Sequence, residues 1–209
     1  IMIKILVTSA GVMSAVNIIK ALKAQTQLKI HIFAIDMDSY APGLFFADKY
    51  EICPSIKNHK GYINYISDLV KRESIDIIFP CYSKEIILFS LNKDKFSSLG
   101  AKMLLPSSNS IKLCDDKHKS INCVKDLGIP VPKILKNPTS NDLPIFSKFS
   151  SGSGSDGAIY IENEYQFNNA LSSEYSRIYQ EYIKGREYTV DLISNYNSEP
   201  LISCPRERL

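Results

Sequence analysis

Histidine is scarce in this chain: His31, His59 and His118 are the only three in 209 residues. His-rich metal chemistry and a Ser-His-Asp triad therefore have little to draw on. The five cysteines, Cys53, Cys81, Cys114, Cys123 and Cys204, are scattered and form no CxxC pair. An odd, dispersed set points to reduced structural thiols in a cytosolic protein rather than to a disulfide framework. No apolar run approaches the roughly 20 residues that span a bilayer. The apolar opening passes straight from Val7 into Thr8-Ser9-Ala10-Gly11, too short for the apolar region of a signal peptide. No membrane partner and a cytoplasmic location are expected. An excess of one charge is also lacking, since 25 basic against 22 acidic side chains leave +3. That balance gives no ground for a nucleic-acid partner.

What is present suits an ordinary globular protein, with 44% hydrophobic and 22% charged residues. The length fits one large or two small domains. Through the first half, short β-branched runs alternate with helical periods. Strands are predicted over 3–7, 30–35, 50–53, 75–79 and 102–105, and helices over 12–23, 62–73 and 84–98. Continuous apolar strands alternating with helices imply an α/β, Rossmann-like doubly wound parallel sheet covered on both faces. Two short helices follow, over 110–114 and 117–127. Gly128 sits just past a helix end, and Pro130 and Pro132 prevent continuation. Beyond them the connections tighten. Strands are predicted over 144–149, 158–161, 177–183, 187–194 and 200–204, with one helix over 164–173. The twelve tyrosines are scattered and read mostly as packing residues, and the stretch 115–125 as a solvated helix face of mixed sign.

Two loops carry candidate chemistry. The first βα turn, Thr8 to Ser14, keeps only Gly11 of a G-x-G-x-x-G pattern, and Asp36 ends the second strand. That leaves an NAD(P)-linked oxidoreductase as one reading and a purely architectural turn as the other. The segment Ser150-Ser151-Gly152-Ser153-Gly154-Ser155-Asp156-Gly157 is more informative, with three glycines and four serines immediately after Lys148-Phe149. Small residues let successive backbone N–H groups converge on an anion, and a nearby lysine supplies a compact positive charge. No G-K-[ST] follows, so a Walker A loop is excluded and a hairpin covering phosphates fits better. A flexible hairpin beside a solvated lysine is the plain alternative.

Asp115-Asp116-Lys117 opens a helix, Phe146-Ser147-Lys148 precedes the loop, and Gln180-Glu181-Tyr182-Ile183-Lys184-Gly185-Arg186-Glu187-Tyr188-Thr189-Val190-Asp191 follows it. In this order and spacing the set resembles the ATP-grasp superfamily, in particular its carbamoyl-phosphate-synthetase-like carboxylate–amine ligases. The resemblance covers essentially the whole chain. It implies a Rossmann-like pre-ATP-grasp domain over 1–113 and the first part of an α+β ATP-grasp domain over 114–209. A lid subdomain would take about 128–180, and the second subdomain would begin at 181–209.

Lys117 and Lys148 then look like the two ATP-phosphate lysines, although the family's usual Lys-Pro is Lys148-Phe149 here. Gly152, Ser153, Gly154, Ser155 and Gly157 correspond to the phosphate-covering loop. Glu181 and Ile183 fall where family members offer main-chain groups to adenine, flanked by Gln180 and Tyr182, in what reads as an apolar slot along a buried strand edge. Glu187 falls where a carboxylate accepts from the ribose hydroxyls. Glu181 and Glu187 pairing with Lys184 and Arg186, and Lys117 covering its own helix, are the bland readings. Arg206 and Arg208 match the basic residues placed over the phosphates or the acyl-phosphate.

The resemblance further implies ATP and Mg²⁺ as cofactors and a small-molecule carboxylate and amine as substrates. The family's Glu-x-Asn metal pair occurs nowhere in the sequence. No metal ligand is therefore assigned within this chain, and the Mg²⁺ ligands are expected beyond residue 209. A truncated, catalytically incomplete ligase is the expectation. A non-catalytic nucleotide-binding or interaction module remains the alternative beside the NAD(P) reading, and oligomeric state is left open.

Overall fold

The computed structural model describes residues 2–152, 155, 157–195 and 197–208. Two compact units divide after Lys119, and each is described by itself.

In the first unit, β1 (Ile3–Val7), β2 (Ile30–Asp36), β3 (Lys49–Ile52), β4 (Ile77–Phe79) and β5 (Lys102–Met103) form a five-stranded sheet in the order β3-β2-β1-β4-β5. Every pairing is parallel. The apolar runs sort by the two-residue alternation of a strand. Leu6, Phe33, Ile35 and Ile78 join one core with Tyr62, Ile66, Leu69 and Val70 of α2 (His59–Glu73), Phe89 of α3 (Ser83–Leu91) and Phe96 of α4 (Lys93–Ser98). Ile5, Val7, Ile32 and Ala34 face the other way, against Ala15 and Ile19 of α1 (Met13–Ala24) and Leu44. Burying each Leu, Ile, Val or Phe contributes about 1.5–3 kcal/mol. Both faces are therefore covered, which is the doubly wound arrangement.

One local expectation is corrected. The stretch 84–98 forms two helices, α3 and α4, not one. Asn92 separates them: its Nδ2 donates to Leu88 O at 2.8 Å and its backbone leaves helical geometry (φ −108°, ψ 14°). Asparagine offers the chain this alternative to continuing a helix. Between β2 and β3 the chain forms a short 3₁₀ helix, Pro42–Phe46. Gly43 is required there, because its N–H donates to Ala10 O at 2.9 Å and an added Cβ would lie 2.4 Å from that oxygen.

Helix α5 (Ser108–Asp115) is capped by Ser107, whose hydroxyl accepts from Ser110 N. Helix α6 (Lys117–Asp126) runs across the boundary between the units. Its end closes with Ile129 N donating to Val124 O at 3.3 Å and Gly128 N to Lys125 O at 2.9 Å. Gly128 takes φ +77°, the left-handed conformation such a cap requires.

The second unit holds a three-stranded antiparallel sheet of β6 (Ile145–Phe149), β7 (Ile159–Ile161) and β8 (Arg177–Glu181), in the order β7-β6-β8. Helix α7 (Glu164–Leu171) packs Phe167 and Ala170 on Ile145 and Ile161. Segment 133–135 extends along β8, with Leu135 N donating to Tyr179 O and Glu181 N to Lys133 O, both at 2.9 Å. A separate two-stranded ribbon joins β9 (Tyr188–Ser194) to β10 (Pro200–Glu207), three residues longer than the sequence pattern suggests. Val190, Leu192, Ile193, Leu201 and Ile202 are all exposed on it.

Candidate functional site

The geometry starts from the two faces of the β6–β7–β8 sheet. Ile145, Ser147 and Ile161 lie on the buried face, with Ile145 and Ile161 against α7. The register sets Gln180 opposite Phe146, Phe146 opposite Tyr160, and Ile178 opposite Lys148. Directly opposed residues share a face. Gln180, Phe146 and Tyr160 thus form a row across three strands, and Lys148 lies two residues along on the same face. The Tyr160 ring also meets Tyr182, with centroids 4.5 Å apart and planes at 53°. Of the predicted pocket residues, Lys148 and Gln180 share this face, and Tyr182 reaches it through Tyr160.

The glycine- and serine-rich connection leaves β6 beside Lys148. Ser153, Gly154 and Asp156 lie outside the described residues. Around them the backbone adopts positive φ at Gly152 (+102°), Ser155 (+64°) and Gly157 (+66°). Ala158 N donates to Ser155 O at 3.0 Å, closing a turn at the loop's return. Arg177 roots that return. Its Nη2 donates to Gly157 O, its Nε donates to Ser147 Oγ at 2.8 Å, and its guanidinium lies 4.9 Å from the Phe149 ring centroid. A Cβ on Gly157 would fall 2.5 Å from that ring, so residue 157 has no room for a side chain. Arg177 was missed in the sequence, where no local motif marks an arginine acting 20–30 positions away.

The adenine-edge residues differ from expectation in three ways. Strand β8 ends at Glu181, so Tyr182 and Ile183 lie beyond it. They are 42% and 62% exposed, not a buried slot. The Glu181 N–H donates to Lys133 O, and its Oε1 accepts from Lys133 N at 2.8 Å. The backbone donor and the carboxylate of Glu181 are thus both committed to the neighbouring segment, and the carboxylate pairs with neither Lys184 nor Arg186.

Glu187 is likewise engaged, its Oε1 accepting from Arg208 Nη1 at 2.6 Å. Arg208 Nη2 donates to Ser155 Oγ at 3.4 Å, which ties the end of the ribbon to the loop. Arg206 pairs with Asp191 at 2.6 Å, and that hydrogen bond holds the Asp191 carboxyl below its usual range. Both arginines are thus held by carboxylates across the ribbon, Arg206 reaching Asp191 diagonally, since its register partner is Thr189 and that of Asp191 is Cys204. Lys117 is the first residue of α6, and Asp116 caps that helix by accepting from Lys119 N at 3.0 Å. The backbone hydrogen bond from Lys119 lowers the Asp116 pKa.

The first unit has a cavity of about 430 Å³ at the C-terminal edge of its sheet, lined by Ser9, Gly11, Asp36, Tyr62, Lys84 and Glu85 among others. It lies where the strand order reverses on either side of β1 and β4, the usual position for a ligand in an open α/β sheet. Its floor is a buried network. Glu85, 2% exposed, accepts from Thr8 Oγ1 at 2.7 Å and from the Tyr62 hydroxyl. Burial and the neighbouring Glu85 raise the Tyr62 pKa, keeping the phenol a donor. Burial, with Asp36 and Glu85 nearby, pushes Cys53 up to about 12, and burial with Glu85 does the same for Cys81. Neither thiol is a nucleophile at neutral pH. Asp36 accepts Gly11 N at 2.7 Å and Asp38 N at 2.9 Å. Both of its oxygens serve the turn itself, which is the architectural role of that turn.

Among the described residues no three His, Cys, Asp or Glu side chains converge as a metal site. Among them, no helix is long and apolar enough to cross a membrane.

A doubly wound parallel unit followed by an antiparallel sheet with a glycine-rich hairpin is the plan of an ATP-grasp protein. Residues 5–104 match the PylC-like N-terminal domain and residues 114–209 match the ATP-grasp domain, and the chain belongs to the ATP-grasp family. It is similar to a 5-formaminoimidazole-4-carboxamide-1-(beta)-D-ribofuranosyl 5'-monophosphate synthetase of Pyrobaculum arsenaticum, at 30% identity over 42% of this chain and 25% of that protein. Its fold is that of N5-carboxyaminoimidazole ribonucleotide synthetase from Thermotoga maritima (TM-score 0.66, 21% identity, 99% of this chain and 54% of that one). The biotin carboxylase domain of Hydrogenobacter thermophilus 2-oxoglutarate carboxylase, solved with MgADP, ADP and bicarbonate, is also similar (TM-score 0.61, 23% identity, 90% and 46% covered). The chain spans a quarter of the first of these relatives and about half of the two solved structures.

Proposed function

We propose that this chain is the nucleotide-binding portion of an ATP-dependent ligase of the carbamoyl-phosphate-synthetase-like kind. The observation that carries the reading is the sheet face left uncovered by α7, where Lys148, Phe146, Gln180 and Tyr160 lie together beside the rooted glycine–serine hairpin. A planar base suits an aromatic row, and a triphosphate suits a lysine beside backbone N–H groups. Gly152, Ser155 and Gly157 would turn around the phosphates, with Ser153 and Gly154 between them. Lys148 would neutralise phosphate oxygens. Glu181 would meet the adenine edge through its carbonyl and Ile183 through its amide. Glu187 would receive the ribose hydroxyls in exchange for Arg208, and Arg206 and Arg208 would then lie near the transferred group.

In the complete reaction the terminal phosphoryl group of ATP passes to a carboxylate oxygen and ADP leaves. An amine or similar nucleophile then attacks the carbonyl carbon of the acyl phosphate and expels phosphate. The cavity beside Glu85 in the first unit is a fitting place for one of the small-molecule substrates. Mg²⁺, when bound with the nucleotide, supplies charge neutralisation. The described residues offer it no cluster of ligands.

Titration calorimetry and thermal melting with ATP test the reading. The wild-type chain should gain heat-stability with rising nucleotide, and Lys148→Ala should bind about tenfold more weakly, the loss of one charge-assisted phosphate contact. Absence of heat and of any melting shift at millimolar ATP would sink it.

A further inference from the structure

Arg177 is half-buried and has no carboxylate partner among the described residues; its contacts are Ser147 Oγ, Gly157 O and the Phe149 ring. A guanidinium offers acceptors a side edge, Nε with Nη2, and an end edge, Nη1 with Nη2. The side edge is spent on Ser147 and Gly157. The end edge has no acceptor among the described residues, and its two parallel N–H groups are what a carboxylate meets with a pair of hydrogen bonds. A cation drawn partly out of water and left without a counter-charge is costly. Arg177 is also one wall of a cavity of about 390 Å³ on the α7 side of the sheet, lined with it by Ile159, Gln166, Asn169, Ala170 and Ser173. That is the opposite face from Lys148 and the Phe146–Tyr160 row. The polar lining is rich in donors. Gln166 uses Oε1 to accept from Glu162 N, and Ser173 Oγ accepts from Tyr175 N. The Gln166 and Asn169 side-chain NH₂ groups and the Ser173 hydroxyl proton are uncommitted among the described residues. Glu162, Glu164 and Glu174 stand nearby in the chain, and none of them lines the cavity.

We propose that this cavity is a regulatory site for a small carboxylate-bearing molecule. Its carboxylate would take two hydrogen bonds from the end edge of Arg177 and others from Asn169 and Ser173, and its carbon skeleton would lie over Ile159 and Ala170. An apolar floor with a few directed donors is the usual make-up of a small-ligand pocket. The anion site stands apart from the nucleotide-binding reading; its effect on ATP rests on that reading. Arg177 holds the return of the glycine–serine loop through Gly157 O, so an anion that fixes the guanidinium also fixes the root of the loop. It does so without competing for the side edge. A root ordered beforehand costs less to order when ATP arrives. Carboxylate and ATP should therefore favour each other, and by linkage to the same degree.

The test adds succinate or benzoate to the full 209-residue chain at constant ionic strength made up with chloride, with inorganic phosphate as a third anion. Binding is read from the Arg177 Nε–H resonance and from thermal melting, and ATP affinity from calorimetry with and without carboxylate. Wild type should show a saturable shift of that resonance with at least one carboxylate, and saturation should tighten ATP binding about fivefold. Asn169→Asp, at an exposed position of α7, sets a fixed anion in the cavity; it should melt close to wild type and bind carboxylate about tenfold or more weakly. Arg177→Lys removes the fork and should weaken binding as much. That variant also loses the loop's root, so Asn169→Asp decides. No saturable shift with either carboxylate, or a shift that chloride reproduces, overturns the proposal. Saturation by phosphate and by neither carboxylate overturns the assigned chemistry. Undiminished binding by Asn169→Asp overturns the location. Carboxylate binding that leaves ATP affinity unchanged overturns the regulatory role. A chain that binds carboxylate and no ATP upholds the anion site and refutes the nucleotide-binding reading.

Discussion

Tyr62→Phe removes one hydroxyl from the buried network beneath the first-unit cavity. Glu85 is 2% exposed and has two side-chain donors, Thr8 and Tyr62, each buried as well. Taking one away leaves a carboxyl oxygen with no water to replace the lost donor, a cost of about 1.5–3 kcal/mol. With an m-value of about 2 kcal/mol/M in urea, the unfolding midpoint should fall by roughly 1 M. The matched control is Tyr65→Phe. Tyr65 donates to Glu51 Oε2 at 2.9 Å, but Glu51 also holds Arg72 Nη2 at 2.6 and 2.7 Å and is partly open to solvent. That carboxylate keeps its partner, so the control should cost less than about 1 kcal/mol. Urea titrations followed by far-UV circular dichroism give both numbers, and hydrogen exchange at the β1 amides places the effect in the first unit. Equal midpoint shifts for the two variants would refute the claim that burial, not the hydrogen bond alone, sets the cost.

Two further outcomes are expected. Arg177→Lys keeps the charge but loses the fork that serves Ser147 Oγ and Gly157 O together; it should lower stability by about 1–2 kcal/mol and weaken ATP binding several-fold, read by melting and calorimetry. Asp48 gives an acid-side signature. Burial raises its pKa, but the Ile32 amide at 2.8 Å and Lys23 at 2.7 Å outweigh this and hold it below the ordinary value. A depressed folded-state pKa contributes stability that is complete above about pH 5 and lost as pH falls below about 4. Asp48→Asn should therefore be less stable than wild type at pH 7 and flatten the profile in that window, so that the two curves converge in acid; a gap that stays constant as pH falls below about 4 would count against it.

The parallel sheet was legible because its three central strands, β1, β2 and β4, are apolar runs whose alternate residues feed opposite cores, as Leu6 and Val7 do. The end of α6 was legible for a similarly local reason, a glycine at the one position where positive φ is needed. The break at Asn92 was not, since the apolar period continues from Phe89 to Phe96 and only the side chain's bond to Leu88 O interrupts the helix. In the candidate site, Lys148 and the glycine–serine hairpin carry their own composition signal. The commitments of Glu181 to Lys133, Glu187 to Arg208 and Gly157 to Arg177 do not, because each joins segments distant in sequence and depends on strand register. Gln180 was visible as a neighbour of Glu181, but its row with Phe146 and Tyr160 appears only once the strands are in register.

The β9–β10 ribbon has only two strands and apolar side chains in contact with water along its length. Such a ribbon is marginal by itself, so its amides should be among the first to exchange and its opening should require little free energy. Glu187, Arg206 and Arg208 all ride on or beside it, whereas Lys148 and Gln180 are built into the firmer sheet. On the nucleotide-binding reading proposed above, the base and phosphate contacts stand ready and the sugar contacts are still to be organised, so that part of the binding free energy would go into quieting the ribbon.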